Sequence, residues 1–516
     1  MQIDTAWRLL FGGMERDPQG LSARVRGIIA DAIETGLLAP DMRVPSSRSL
    51  AEALGISRNT VNAAYQTLID DGLLVARERS GFFVAPPDDR RASERTDTGV
   101  AADKAGGWAT RFAIRPSRLP QITKPRNWMD YPYPFLFGQF DPSLFPTNPW
   151  RESVKAASSV QEITRWARDM IDDDDPDLLD QLRHKVLPRR GIFAGPGEII
   201  ITIGSQHALS MLVQLLVGRD TPVGIENPGY PDVRHMVGIA TADMLPLTCD
   251  GFGVVPDAVF ASRRVAFVTV GHQCPTTAVM PIGRRRALLD AAARHDVVLI
   301  EDDYESDLSV EGDSDLPCLK SLDRADRVLY TGSFSKILAP GLRIGYVVAP
   351  KPVIDELRVL RRLMLRHPPT NNQRSLATFI QLGHYRQHLR RTASVLEERA
   401  ARIAGLLPEL LPGCRFRRDF GAKSFWIEGP PDLDSRDLVR RARDQGVLIE
   451  AGDIFFLDPA EGRRYFRLGF TSIATHRIEP GLRRLSALLR NEAVQQAAER
   501  SQGLCHARPS AHSAGE

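Results

Sequence analysis

Five short apolar segments between residues 198 and 331 constrain this chain most. EIIIT runs through Ile203 into Gly204-Ser205-Gln206, and PVGIE into Asn227-Pro228-Gly229-Tyr230. VAFVTV runs into Gly271-His272-Gln273, VVLIE into Asp302-Asp303-Tyr304, and RVLYT into Gly332-Ser333. Each is rich in β-branched residues and reads as a strand covered on both faces. Helical stretches alternate with strands from Tyr131 to about Asn491, which predicts an open α/β sheet. In such a sheet ligands bind beyond the carboxyl ends of the strands. Any one of these ends alone reads as an ordinary loop. Five of them, all small or polar and on one edge, read as a site.

The last strand leads to Lys336, in GSFSKILAPGLRIGY. Only eight of the 67 basic residues are lysine. A lysine amine can lose its proton and attack an aldehyde carbon to form a Schiff base, which arginine cannot do. The plainer alternative is a solvated loop lysine. Ser333, Ser335 and Arg343 flank Lys336 and make an anion cradle beside an amine nucleophile, the combination that pyridoxal phosphate (PLP) requires. Asp302 is the expected carboxylate at the ring nitrogen. Tyr304 is expected at the phenolic oxygen, and Tyr230 on the ring face. Ser205, Gln206, Ser333, Ser335 and Arg343 are expected to hold the phosphate. Ser205 and Gln206 also open a helix whose first amides attract an anion. Arg467, in RYFRLGF, is a candidate for an effector or substrate carboxylate; a structural strand arginine is its alternative.

Residues 1–86 form a separate pattern. Leu21, Val25, Ile28, Ile29 and Ile33 recur at helical spacing before Gly36. Ser47 is the expected cap of a second helix ending at Gly55, and Ser57 of a third with Val61, Ala64, Tyr65 and Leu68 on its buried face. Two helices joined by Gly55-Ile56 predict a helix-turn-helix. LLVA and FFVA, around Arg77-Glu78-Arg79-Ser80-Gly81, predict a two-stranded wing. Arg58, Asn59 and Asn62 lie opposite the apolar stripe near the start of the third helix, where a recognition helix meets base edges. Arg43, Arg48 and Arg79 are expected at phosphates or in the minor groove. A three-helix packing module with solvated arginines is the alternative. Seven arginines face seven acidic residues over 21–86, so charge does not decide.

The full 516 residues predict at least two domains, and a net charge of +3 excludes a protein that holds nucleic acid by bulk charge alone. Residues 87–127 read as a polar linker, 128–491 as the α/β domain and 492–516 as a disordered tail. Five scattered cysteines, with no paired or metal-ligand spacing, fit a reduced cytoplasmic protein. No export signal, membrane span or metal site is expected. The acidic run in MIDDDDPDLLDQLR reads as a solvated turn or a helix N-terminus.

RVPSSRSLAEALGISRNTVNAAYQTLIDDGLLVARERSGFFV resembles the winged helix of the GntR superfamily. In that family the positions matching Arg48, Ser57, Arg58, Asn59 and Thr60 contact DNA. GSFSKILAPGLRIGY, with GSQHAL, ENPGY and EDDY, resembles fold-type I aminotransferases. The two together resemble the MocR (GabR-like) regulators, as do FDPSLFPTNPW and HQCPTT. The resemblance implies a winged helix-turn-helix joined to a fold-type I PLP-dependent transferase-like domain, with a mixed, mostly parallel sheet and a small C-terminal subdomain. It also implies a bacterial homodimer bound to double-stranded operator DNA. Two departures stand out. Cys274 replaces the asparagine whose amide touches the ring oxygen in aminotransferases, and Thr277 replaces a glycine.

Three functions follow. The expected one is a PLP-dependent transcriptional regulator, in which PLP or an amino compound reacting at Lys336 changes operator binding. An active aminotransferase carrying a DNA-binding head is the alternative. A head on a purely structural large domain is disfavoured, because Lys336, Asp302, Tyr304 and Arg343 are all in place.

Overall fold

The computed structural model describes residues 21–34, 38–77, 80–85, 111–305, 316–336 and 338–490. The chain divides into two compact units, Met1–Ala113 and Ile114–Glu516.

In the first unit, α1 (Leu21–Glu34), α2 (Ser47–Leu54) and α3 (Arg58–Asp70) precede the hairpin of β1 (Leu74–Arg77) and β2 (Gly81–Val84). Val25, Ile29, Leu50, Val61, Tyr65 and Leu68 form one core, as their helical spacing requires. The Tyr65 hydroxyl donates to the Pro45 carbonyl at 2.8 Å, so its polar tip is satisfied within this core. Ser57 caps α3, accepting from the Thr60 N–H at 3.1 Å, as expected. The expected cap of α2 is one residue off. Ser46 accepts from the Ser49 N–H, while Ser47 is turned into the buried first turn. Gly55, at φ 64°, ends α2 in the left-handed conformation that glycine adopts without strain.

The second unit is built on a seven-stranded sheet. Its strands are β3 (Ile199–Thr202), β4 (Val223–Glu226), β5 (Met244–Leu247), β6 (Val265–Val268), β7 (Val298–Asp302), β8 (Val328–Ser333) and β9 (Gly345–Val348). They lie in the order β3-β9-β8-β7-β6-β4-β5. All five segments read from the sequence are present. The antiparallel β9, between β3 and β8, was not among them. Ile200, Ile225, Phe267, Ile300 and Leu329 face a core shared with α4 (Gly204–Leu216) and α5 (Pro231–Ala240). On the other face Ile199, Ile201, Tyr330 and Tyr346 join a larger core. This core reaches a four-stranded antiparallel sheet of β10 (Arg415–Arg417), β11 (Ser424–Glu428), β12 (Glu450–Ala451) and β13 (Tyr465–Gly469).

Residues expected to close a linker at 127 belong to the second unit from 114 onward. His235 Nε2 lies 2.6 Å from the Pro120 carbonyl, Ile122 packs against Trp426 and Phe455, and Lys124 donates to the Phe137 carbonyl. Two anchoring side chains in a polar stretch are lost when composition is averaged over it. Arg79, and the stretches 86–110 and 491–516, lie outside the described residues. The acidic run is a helix N-terminus: Asp175 caps Pro176–Gln181 through the Leu178 N–H at 2.9 Å. Its neighbour Asp174 is buried and ion-paired to Arg358 and Arg361. Among the described residues no helix is long and apolar enough to cross a membrane, and no cluster of His, Cys, Asp and Glu could hold a metal ion.

Candidate functional site

All ten residues singled out in the large domain line one cavity of about 600 Å³. Strand ends explain the convergence. Asp302 and Thr331 are register partners at the ends of β7 and β8, and the Thr331 hydroxyl donates to Asp302 Oδ1 at 3.0 Å. Burial pushes the Asp302 carboxyl up to about 6, with the neighbouring Asp303 charge adding to it. Tyr304, two residues on, meets Phe137 edge-on with ring centroids 5.9 Å apart.

β9 brings Arg343 to the start of α4. Gly345 lies between Thr202 and Ser333 in the sheet. A Cβ at Gly345 would fall 2.7 Å from the Gly204 carbonyl carbon, so only glycine lets these backbones approach. Arg343, itself left-handed at φ 51°, donates to the Ile203 carbonyl at 3.0 Å beside the first amides of α4. Opposite it, the Ser335 N–H donates to Ser333 Oγ at 3.1 Å. The Ser335 hydroxyl is buried with no hydrogen-bond partner among the described residues. Tyr230 is anchored, its hydroxyl 2.9 Å from Gln206 Oε1 and 3.0 Å from Asp232 Oδ2.

The Lys336 amine lies 4.9 Å from the centre of the Phe137 ring. Burial first, then the Lys124 and Arg467 charges, lower its pKa to about 8 against the opposing Glu450 and Glu305. Arg467 is fully committed on one side. Its Nε donates to Glu450 Oε2 at 2.7 Å across a register pair of β12 and β13. Its guanidinium carbon lies 4.3 Å from the Phe137 ring centre and 4.6 Å from that of Phe455. Arg467 is thus structurally paired and also lines the cavity.

Sequence reasoning missed Lys124, Phe137, Gly138, Asp232 and Glu450. Lys124 carried a signal, since lysine is as rare there as at 336; Glu450 carried none. Cys274 is packed with Trp426 and Phe455, and its N–H donates to Thr269 Oγ1 at 3.0 Å. Burial pushes its thiol up to about 12, which suits a packed residue and not a nucleophile. Thr277 holds the left-handed φ of 66° where glycine would be unstrained.

In the head, Arg43, Arg48, Ser57, Arg58, Asn59 and Asn62 are exposed and Thr60 is half-buried. Ser57 and Thr60 hydroxyls bond each other at 2.8 Å. The Arg58 Nε reaches Ser47 Oγ at 3.5 Å, which leans its guanidinium toward α2. Arg77 is drawn off to Asp41 and the Phe83 ring.

Residues 152–485 match the family described as aminotransferase class I and II, and residues 21–84 match bacterial regulatory proteins, gntR family. The chain is 41% identical over 484 residues to the HTH-type transcriptional regulator TauR of Rhodobacter capsulatus, covering 91% of this chain and 96% of that protein. It is 32% identical over 370 residues to the probable rhizopine catabolism regulatory protein MocR of Rhizobium meliloti, covering 71% and 73%. Among solved structures, LysN resembles it with a TM-score of 0.67 and 26% identity, covering 75% of this chain and 99% of that one. LysN is an α-aminoadipate aminotransferase from Thermus thermophilus, complexed with N-(5'-phosphopyridoxyl)-L-leucine. A gntR-type head and an aminotransferase-like domain on one chain define a class of transcriptional regulator. This chain belongs to the MocR-type HTH transcriptional regulators.

Gly138, at φ 75°, leaves the space in front of Lys336, since a Cβ there would lie 2.3 Å from Nζ. Gly138→Ala is expected to keep the folded far-UV spectrum while slowing capture of an aldehyde by Lys336 about tenfold or more. Borohydride trapping of added PLP measures this. An unchanged trapping rate would show that the gap does not matter.

Proposed function

We propose that this regulator binds PLP at Lys336, and that PLP itself, or an amino compound reacting there, changes its binding to operator DNA. The carrying observation is the convergence of ten residues, chosen from sequence, on one cavity around a desolvated amine. The chain's own groups fit the cofactor. The unpartnered Ser335 hydroxyl, Ser333, Arg343 and the start of α4 with Ser205 and Gln206 form an anion cradle. Asp302 would face the ring nitrogen, where a proton would offset the cost of burying its carboxylate. Tyr304 would orient the ring oxygen, and Tyr230, fixed by Gln206 and Asp232, would cover a ring face. When bound, PLP supplies an aldehyde that primary amines take and a ring that draws electrons from neighbouring bonds. An incoming amine would compete with Lys336 for that aldehyde, and a Lys336 side chain so displaced would need new partners. If the two arrangements favour different placements of the head, DNA affinity shifts by about 1–3 kcal/mol. Arg58, Asn59 and Asn62 would read bases, Arg43, Arg48 and Arg79 would sit at phosphates or in the minor groove, and Ser57 and Thr60 would also contact the DNA. A homodimer with two heads is part of this proposal.

Lys336→Ala is expected to abolish the yellow chromophore and the borohydride-stable adduct; an adduct persisting elsewhere would overturn the assignment. Only the neutral amine attacks, so the rate of PLP uptake should rise with pH and level off above about 8. A rate still climbing toward the ordinary lysine range would refute the desolvated amine. Arg58→Ala should cost about 1–3 kcal/mol of operator affinity and relax preference at one base pair; a gel-shift titration equal to the parent would misplace the recognition helix. Absorbance titration of the PLP-loaded protein with amines, with keto acid assayed alongside, tests the whole. A lasting spectral shift without keto acid supports the regulator, whereas steady keto acid release makes it an enzyme.

A further inference from the structure

The segment that leads out of the head walls the same cavity. Pro116, Leu119, Ile122 and Lys124 line it beside Lys336 and Arg467. Lys124 is 20% exposed, with its Nζ 3.1 Å from Glu450 Oε1, while Arg467 holds Oε2 of the same carboxylate. Two cations therefore share one anion. Glu450 is held below the usual carboxylate range despite its burial, through Arg467 first and Lys124 second, so it is charged. The trio carries one uncompensated positive charge at the cavity wall, against a buried Arg467 clamped between two rings. A buried excess charge is costly unless a counter-charge meets it. Of the other acids near Lys336, Asp302 is tied to Thr331 and has its ionisation opposed by burial. Glu305 is buried, lies 3.6 Å from His272 and makes no hydrogen bond among the described residues; its charge acts on Lys336, not on the Lys124–Glu450–Arg467 trio.

We propose that the anionic group of an effector amine is seated between Lys124 and Arg467, so that Lys124 selects effectors and ties the segment 114–127 to the bound ligand. The proposal rests on the reading of Lys336 as the PLP lysine and adds the second cation. Lys124 gives up its contact with Glu450 for the ligand. Arg467 keeps Glu450 on Nε and offers its outer edge to the same anion, as a planar fork allows. The chain leading to the head then responds to what fills the pocket.

The test uses the full-length, PLP-loaded protein and two matched probe sets. L-alanine and β-alanine carry a carboxylate; L-alaninamide and propylamine do not. Absorbance titration of the parent is expected to give tighter binding for a carboxylate-bearing amine. Lys124→Met should weaken that amine about ten- to a hundredfold more than it alters the uncharged amines, which register only the loss of the charge beside Lys336, and Lys124→Arg should restore it. Glu450→Gln removes the competing carboxylate and should shift anionic amines the other way, to tighter binding. Limited proteolysis adds a readout independent of the chromophore: saturating anionic amine should change the cleavage rate between residues 111 and 127 in the parent and not in Lys124→Met. Equal weakening of charged and uncharged amines in Lys124→Met would make Lys124 merely structural and overturn the proposal. So would a parent that responds no better to the anionic amines than to the neutral ones. A parent that takes up no PLP at Lys336 is a different failure, visible before any amine is added, and it removes the reading of the site itself.

Discussion

Withdrawing the Lys336 amine from water is the constraint on which the large domain's pocket turns. An ammonium in bulk water holds its proton to a pH near 10.5; at Lys336 burial moves that to about 8. The Phe137 ring covers the amine without supplying a counter-ion, and Lys124 and Arg467 bring like charge near it. Glu450 and Glu305 oppose them and keep the shift moderate. Such a balance leaves an amine that is protonated part of the time and nucleophilic the rest, which a fully solvated or a fully ion-paired lysine is not. Gly138, at a left-handed φ of 75°, adds room there: a side chain at that position would require Nζ to shift.

A second constraint is the reversal of one strand. β9 runs against its neighbours and enters the sheet at the site edge, where all the others leave it. Its first residue, Gly345, is squeezed between the ends of β3 and β8, and the residue two before it is Arg343. A parallel strand would have entered from the far edge and carried Arg343 away. The left-handed backbone of Arg343 costs of order 1 kcal/mol or more. That cost sets a guanidinium beside the first turn of α4, where helix amides and Ser205 already favour an anion. Local strain and sheet topology therefore act together to form the cradle.

Much of this was legible in the sequence, for reasons that differ by residue. Doubly buried strands declare themselves by unbroken β-branched runs, and their ends by glycine and polar residues, so Asp302, Tyr304 and Ser333 could be placed before any coordinates. Lys336 stood out by rarity. The antiparallel strand GYVV looks like the parallel ones, because hydrophobicity does not encode direction. Glu450 and Arg467 are adjacent only because β12 and β13 pair in that register, which no local pattern specifies. Lys124 sat in a stretch whose average is polar, although that one residue reaches Glu450 at the cavity wall. Ser46 and Ser47 show the same limit at smaller scale: either serine suits a cap, and the helix axis decides which faces the open amide.

The proposed response of the head to the large domain needs only small energies. With seven arginines against seven acids over residues 21–86, the head gains little from the general attraction of phosphates. On the proposed reading its hold on an operator would depend on a few directed contacts from the exposed start of α3 and from Arg48. A binding energy built from few contacts is easily tipped, and about 1–3 kcal/mol changes affinity roughly 5- to 150-fold. One charge-assisted hydrogen bond is of that size. The segment from residue 114 to 127 is held by a contact of that kind at Lys124 and by a hydrogen bond at Pro120. In the proposed coupling, exchange of the Lys124 contact would supply a change of that magnitude.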